Sequence, residues 1–219
     1  MRQIEVVFLD FDGVILESVD IKGWAFGKLF EEYPDKVDEI INFHHANGGM
    51  SRFDKFRYIY SNILEQALSD ETFDALCDRF SEMVLDRVLS CDFVPGAREF
   101  LENNYHRRRL YIVSGTPHDE IRMIVEKRKL ERFFRGVYGS PTDKALWTEQ
   151  IMRDNGYMAQ KSIFVGDAMS DFRAARVNRL TFVARITDNR NVFHGMDIAY
   201  TVKDLFELDR LLNPEEKVK

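Results

Sequence analysis

Short apolar runs rich in β-branched and aromatic residues recur at 4–9 (IEVVFL), 110–113 (LYIV), 162–165 (SIFV) and 181–184 (TFVA), each followed by a polar turn. Runs of this length, apolar at successive rather than alternate positions, are what strands buried on both faces of a parallel sheet require. A weaker run at 137–139 (VYG) and a last one near 198–202 keep the same rhythm. Between the runs, polar and apolar residues repeat at helical spacing over 96–104, 118–130, 143–155 and 170–178, the first opened by Pro95. Strands that alternate with helices predict an α/β fold, a Rossmann-like doubly wound parallel sheet.

Residues 17–89 break that rhythm. Segments 20–32, 35–46, 52–67 and 70–89 read as helices, with Phe53, Phe56, Ile59, Tyr60 and Ile63 on one face, and no convincing strand lies among them. The stretch is too long for a loop. Because the first strand has no sheet partner before residue 110, the pattern predicts an all-helical domain at 17–89 inserted into an α/β core of 1–16 and 90–219. The final NPEEKVK is expected to be a solvated tail.

Composition narrows the class. With 219 residues, 45% hydrophobic and 31% charged, the chain reads as a soluble globular protein of one large or two modest domains, which excludes collagen-like and wholly disordered readings. Thirty-one Lys and Arg against 37 Asp and Glu give a net charge of -6, so no overall basic field favours nucleic acid. The run Arg107, Arg108 and Arg109 reads as a solvated helix end. The apolar N-terminal run meets Asp10 too soon for a signal-peptide core or a membrane span, so a cytoplasmic protein without a membrane partner is expected. Cys77 and Cys91 lack metal-type spacing and read as ordinary packing in a reducing compartment.

In an open parallel sheet, ligands bind beyond the carboxyl ends of the strands. The residues there share a theme: Asp10-Phe11-Asp12-Gly13 after the first run, Ser114-Gly115-Thr116 after the second, and Gly166-Asp167 through Asp171 after a later one, with Lys144 opening a helix after the turn at 139–140. Each piece alone is also a turn or a helix cap. Together they would bring Asp10, Asp12, Asp167 and Asp171 into one crevice, where each close pair costs about 4 kcal/mol at 4 Å and an effective dielectric of 20. Lys144 and a hard divalent ion such as Mg²⁺ are the compensation that oxygen ligands suggest, and the absence of a Cys/His set argues against zinc.

These residues resemble the haloacid dehalogenase-like hydrolase superfamily, and within it the Mg²⁺-dependent phosphatases with a helical cap inserted after the first strand. The resemblance covers nearly the whole chain, through VVFLDFDGVILES, VSGT, Lys144 and VGDAMSD. It implies that Asp10 is a nucleophile forming an aspartyl-phosphate and that Asp12 is the general acid and base. It also implies that Mg²⁺ is held by Asp10, Asp167 and the main-chain carbonyl of Asp12, with Asp171 acting directly or through water. Ser114 and the N–H groups of Phe11 and Gly115 would bind the phosphoryl oxygens, and Lys144 would neutralise charge. Dehalogenase members lack the second carboxylate of the Asp-x-Asp pair, so Asp12 points to phosphate esters.

The cap is expected to close over the crevice and to choose the leaving group. Within HHANGGMSRFDKFRYIY at 44–60, Asn47-Gly48-Gly49 suits a loop and Ser51 suits a helix cap with Asp54 three residues on. Arg52 and Lys55 are then basic residues in a first turn that normally prefers acids, which makes them candidates for substrate contact. His44, His45 and His118 read as structural. The implied partner is a small phosphorylated metabolite, such as a sugar phosphate or a phosphoglycolate-like ester, and the chain is expected to be a monomer or weak homodimer. A phosphomutase of β-phosphoglucomutase type shares the same four motifs, and a phosphate-accepting receiver or binding protein without turnover is the reading from another class.

Overall fold

The computed structural model describes residues 4–188 and 191–214. Among them six strands form one parallel sheet: β1 (Val6–Leu9), β2 (Arg109–Pro117), β3 (Gly136–Ser140), β4 (Ser162–Gly166), β5 (Thr181–Arg185) and β6 (Thr201–Val202), in the order β3-β2-β1-β4-β5-β6. This is the doubly wound arrangement expected. The central strand β1 is buried at every position because both its faces are covered. Val7 and Leu9 pack toward the helices α5 (Ala97–Asn104), α6 (His118–Lys127) and α9 (Leu205–Leu212), while Val6 and Phe8 pack toward α7 (Lys144–Asn155) and α8 (Met169–Val177). The Phe8 ring lies between Tyr111 and Phe164, with centroids 5.5 and 6.2 Å away.

Between β1 and β2 the chain forms α1 (Val19–Leu29), α2 (Val37–Ala46), α3 (Arg52–Tyr58) and α4 (Asp70–Ser90), as an inserted helical segment should. The rings of Phe26, Phe30, Phe56 and Phe80 meet there at centroid distances of 5.0 to 6.2 Å. Truncating one such ring to alanine typically costs about 3–5 kcal/mol. This apolar cluster is continuous with the one beneath the sheet. Two connections join the segment to the sheet, side by side: the Val94 N–H donates to the Ile15 carbonyl at 3.0 Å and the Glu17 N–H to the Asp92 carbonyl at 3.0 Å. From β5, Arg185 reaches the Gly13 carbonyl at 2.9 Å and both carboxylate oxygens of Glu17.

Three elements differ from the periodicity. The helix expected over 52–67 stops at Tyr58, widens into a π turn over Ile59–Ile63 and breaks at Glu65, whose φ is +54°. Within the wider turn Ile59, Tyr60 and Ile63 are all buried. The helix expected over 118–130 ends at Lys127, with Lys129 at φ +57°. The helix α9, opened by Asp204 accepting the Glu207 N–H at 2.7 Å, lies in a region where the sequence pattern suggests only a strand and a tail. Of that tail, residues 215–219 lie outside the described residues. Among the described residues no helix is long and apolar enough to cross a membrane. Nor is the arginine run purely solvated: Arg108 reaches the Leu212 carbonyl at 3.0 Å and Asn213 at 2.9 Å.

Candidate active site

The parallel register sets Leu9 beside Ile112 on one side and beside Val165 on the other, so the chain turns that follow emerge together at one edge of the sheet. The first turn needs Gly13. Its φ is +74°, and a Cβ there would stand 2.2 Å from Asp167 Oδ2, so only glycine lets the β1 turn lie against the β4 turn.

Lys144 is the first residue of α7, whose N-cap Asp143 accepts the Ala145 N–H at 2.8 Å. From there its buried ammonium donates to Asp10 Oδ2 at 2.8 Å and to Asp171 Oδ1 at 2.7 Å. Asp10 Oδ1 accepts the Phe11 N–H at 2.7 Å, so this N–H, expected beside a phosphoryl oxygen, here holds the carboxylate. Asp171 Oδ2 accepts the Ala168 N–H at 3.0 Å in the first turn of α8. One ligand oxygen each of Asp10, Asp167 and Asp171 lies within 4.8 Å of the others. Burial raises the Asp10 carboxyl above its ordinary range against the pull of Lys144, and burial together with Asp10 raises Asp171 well above it. Two carboxyls that a full lysine charge does not bring down to their ordinary range mark a site short of positive charge. An all-oxygen donor set of this kind fits a hard divalent cation.

Asp12 turns the other way, toward the helical segment. Its carboxylate accepts the Ser18 hydroxyl at 2.6 Å, the Thr116 hydroxyl at 2.9 Å and the Lys22 ammonium at 2.5 Å, and Lys22 also donates to Thr116 Oγ1 at 2.7 Å. Burial alone would raise this carboxyl, but Lys22 and the two hydroxyls hold it below its ordinary range. Sequence reasoning misses Lys22 and Ser18, and it places Thr116 in the turn after the second apolar run without a role of its own; Thr116 lies in β2. The signal for the missed pair is slight: a hydroxyl and a cation four residues apart at the start of a helix, ten residues beyond Asp12 at the farther end. Ser114 is buried and its Oγ accepts the Thr116 N–H at 3.1 Å, with Gly115 beside it on the cavity wall.

On the cap side, Ser51 caps α3 as expected, accepting the Asp54 N–H at 3.2 Å and donating to the Asp54 carboxylate at 2.7 Å. Arg52 and Lys55 are both buried rather than solvated. Arg52 donates to Ser81 Oγ at 2.5 Å and to Glu120 Oε1 at 2.6 Å. Lys55 Nζ lies 3.0 Å from His44 Nδ1, and burial, aided by the Lys22 charge, lowers its pKa to about 7. His44, which reads as structural in the sequence, lines the cavity, and Lys55 stands behind it.

Between the sheet and the cap lies a cavity of about 40 Å³. Asp10, Asp12, Asp167 and Thr116 form its floor, Lys22 and Arg52 its cationic wall, and Phe26 and Phe80 its apolar wall. The loop at 47–50 closes it. A Cβ at Gly49 would stand 1.8 Å from Ser170 Oγ, and one at Gly115 would stand 2.9 Å from the Gly49 carbonyl oxygen, so the two loops are in contact at glycines.

Residues 6–185 match the sequence pattern of the haloacid dehalogenase-like hydrolases. The chain is 24% identical over 192 residues to a phosphoglycolate phosphatase of Pseudomonas syringae pv. tomato, a match covering 82% of this chain and 68% of that one. Among solved structures, one described as a predicted phosphoglycolate phosphatase from Haemophilus somnus superposes with a TM-score of 0.75 at 16% identity, covering 96% of this chain and 99% of the other. The candidate HAD-hydrolase YfnB from Bacillus subtilis, solved bound to magnesium, superposes with a TM-score of 0.71 at 17% identity, covering 96% and 99%. The chain belongs to the haloacid dehalogenase-like hydrolase family. Within that class it is a phosphatase enzyme.

Proposed function

We propose that the chain is a Mg²⁺-dependent phosphomonoesterase that hydrolyses a small phosphorylated metabolite through an aspartyl-phosphate on Asp10. The observation that carries the reading is the opposition of two carboxylates: Asp10 tied to Lys144 on the core side, and Asp12 turned toward the cap and held by Lys22, Ser18 and Thr116. A carboxylate oxygen of Asp10 attacks phosphorus while the bond from phosphorus to the ester oxygen breaks. Asp12, entering this step in its protonated form, gives that proton to the departing oxygen and becomes the carboxylate. Water then attacks the aspartyl-phosphate, Asp12 takes its proton, and inorganic phosphate leaves with Asp10 restored.

Lys144, Ser114 and the Gly115 N–H hold the phosphoryl oxygens, where charge is concentrated in the transition state. Asp10, Asp167 and the main-chain carbonyl of Asp12 would hold Mg²⁺, with Asp171 directly or through water, and the ion supplies positive charge to the phosphoryl group. YfnB, which shares this fold, is bound to magnesium in its crystal structure, and that supports Mg²⁺ as the ion. The cap excludes water from the reacting centre. The similarity to phosphoglycolate phosphatases supports a small substrate.

The test is phosphate release from a panel of sugar phosphates, phosphoglycolate, nucleotides and an aryl phosphate, with Mg²⁺ or with chelator, for wild type and Asp10→Asn. Release that needs Mg²⁺ and disappears in Asp10→Asn is expected. Substantial turnover in Asp10→Asn, or undiminished turnover in chelator, would sink the mechanism.

A further inference from the structure

The cap arginine that reaches the cavity wall does not offer a bare charge. Its guanidinium donates to Ser81 Oγ on α4 and to Glu120 Oε1 on α6, and the Ser81 hydroxyl donates to Glu120 Oε2 at 2.9 Å. The three side chains form a closed triangle between two cap helices and a core helix. The Arg52 guanidinium also lies over the Phe80 ring, 4.5 Å from its centroid. With side-chain exposures of 5% for Arg52 and 11% for Glu120, the pair is shielded from water and salt. Arg52 lines the cavity, whereas Glu120 stands behind it.

We propose that Glu120 is a positioning residue for specificity: by cancelling the charge of Arg52 it makes the chamber select esters of uncharged, hydroxyl-bearing leaving groups over esters whose leaving group carries a carboxylate or a second phosphate. This rests on the phosphomonoesterase reading above and narrows its substrate class. A guanidinium has five N–H donors in a fixed fork, and two of the bonds above leave donors free. A compensated arginine therefore still hydrogen-bonds a hydroxyl oxygen, but it no longer repays the desolvation of an anion. The second cation on the wall, Lys22, is paired with Asp12 at 2.5 Å. Behind the wall, Lys55 and the His44 ring meet at 3.0 Å, a contact in which at least one of the two nitrogens lacks a proton. An anionic leaving group would enter toward Asp12 and Glu120 with both wall cations already matched, and such like-charge placement is how sites reject a competitor.

The experiment compares kcat/KM for a matched pair, 2-phosphoglycolate and 2-hydroxyethyl phosphate, with Mg²⁺ and with an aryl phosphate as reporter, for wild type, Glu120→Gln and Glu120→Asp. Wild type is expected to favour 2-hydroxyethyl phosphate by about tenfold or more. Glu120→Gln keeps the hydrogen-bonding shape, removes the charge and shifts the ratio toward 2-phosphoglycolate by about tenfold, while Glu120→Asp keeps the wild-type preference. A purely structural Glu120 would lower both esters alike and leave the ratio unmoved, which overturns the proposal. Preference of wild type for 2-phosphoglycolate overturns it as well, and that measurement stands even if Glu120→Gln fails to fold. Absence of turnover on both esters and on the aryl phosphate overturns the phosphomonoesterase reading itself, and the proposal with it.

Discussion

Lys144 in the core and Lys55 in the cap are buried to nearly the same degree, at 4% and 2% exposure, yet their proton affinities move in opposite directions. Lys144 sits between Asp10 and Asp171, and their charges outweigh burial and raise its pKa. Lys55 faces a histidine ring and a main-chain carbonyl, so burial prevails and lowers its pKa to about 7. Desolvation acts on both. What differs is whether an anion stands within hydrogen-bond reach, and that separates a lysine that serves as a fixed charge from one that hovers between charge states.

The largest effect is expected from breaking the core half of this comparison. Lys144→Met leaves Asp10 and Asp171 facing each other without a cation, and removing one partner of a buried ion pair costs about 3–5 kcal/mol. Phosphate release should fall below detection and the denaturation midpoint measured in chelator should drop. A variant that keeps wild-type stability in chelator would show that the two carboxyls are satisfied without Lys144.

Lys55→Met tests the other half and comes next in size. The folded-state pKa of about 7 lies below the ordinary lysine value of 10.5, so between those pH values the unfolded chain binds more protons than the folded one. Stability therefore rises with pH across that window, and the penalty of the buried ammonium is fully present below pH 7. Lys55→Met removes the penalty, so it should be more stable than wild type by roughly a few kcal/mol at pH 6, with the gap closing toward pH 10. Urea midpoints for both proteins at pH 6, 8 and 9.5 would show it. A gap that does not change with pH would mean that Lys55 stays charged throughout.

The same contrast explains how much is legible in the sequence. Asp10, Asp12, Ser114, Lys144, Asp167 and Asp171 each follow an apolar run or lie in the first turn of a helix, so the order of the runs and the chemistry of the residues after them are enough to gather them. The partners in the cap obey no such local rule. Arg52 meets Glu120 across 68 positions of sequence and Lys22 meets Thr116 across 94, and both pairings depend on how the helical segment docks on the sheet. In sequence, Arg52 and Lys55 are cations at a helix start, where solvent would be their ordinary surroundings. The fold buries both: docking on the core gives Arg52 a glutamate, and packing within the helical segment gives Lys55 a histidine. The helix expected over 52–67 departs in another way: Ile59, Tyr60 and Ile63 are buried as their helical spacing predicts, but that spacing carries no mark of the π turn they form. The short helix α9 does carry a signal, with Leu205, Leu208 and Leu212 on one face, but over a span of only eight residues.

Lys22 lies between the two extremes, with 16% exposure and a single carboxylate partner, and its loss should have the smallest effect of the three. In Lys22→Met the Asp12 carboxyl keeps the Ser18 and Thr116 hydroxyls but loses the cation that holds it low, so its pKa moves up. The second half of the proposed reaction needs Asp12 ionised to take a proton from water. The acidic limb of the kcat profile should therefore move to higher pH, and on that limb kcat falls by about tenfold for every pH unit the limb moves. Lys22→Arg keeps the charge and should keep the limb near its wild-type place. A limb that stays fixed in Lys22→Met while kcat falls evenly at every pH would assign Lys22 to holding the cap closed instead, because loss of closure lowers the competent fraction without changing the proton affinity of Asp12.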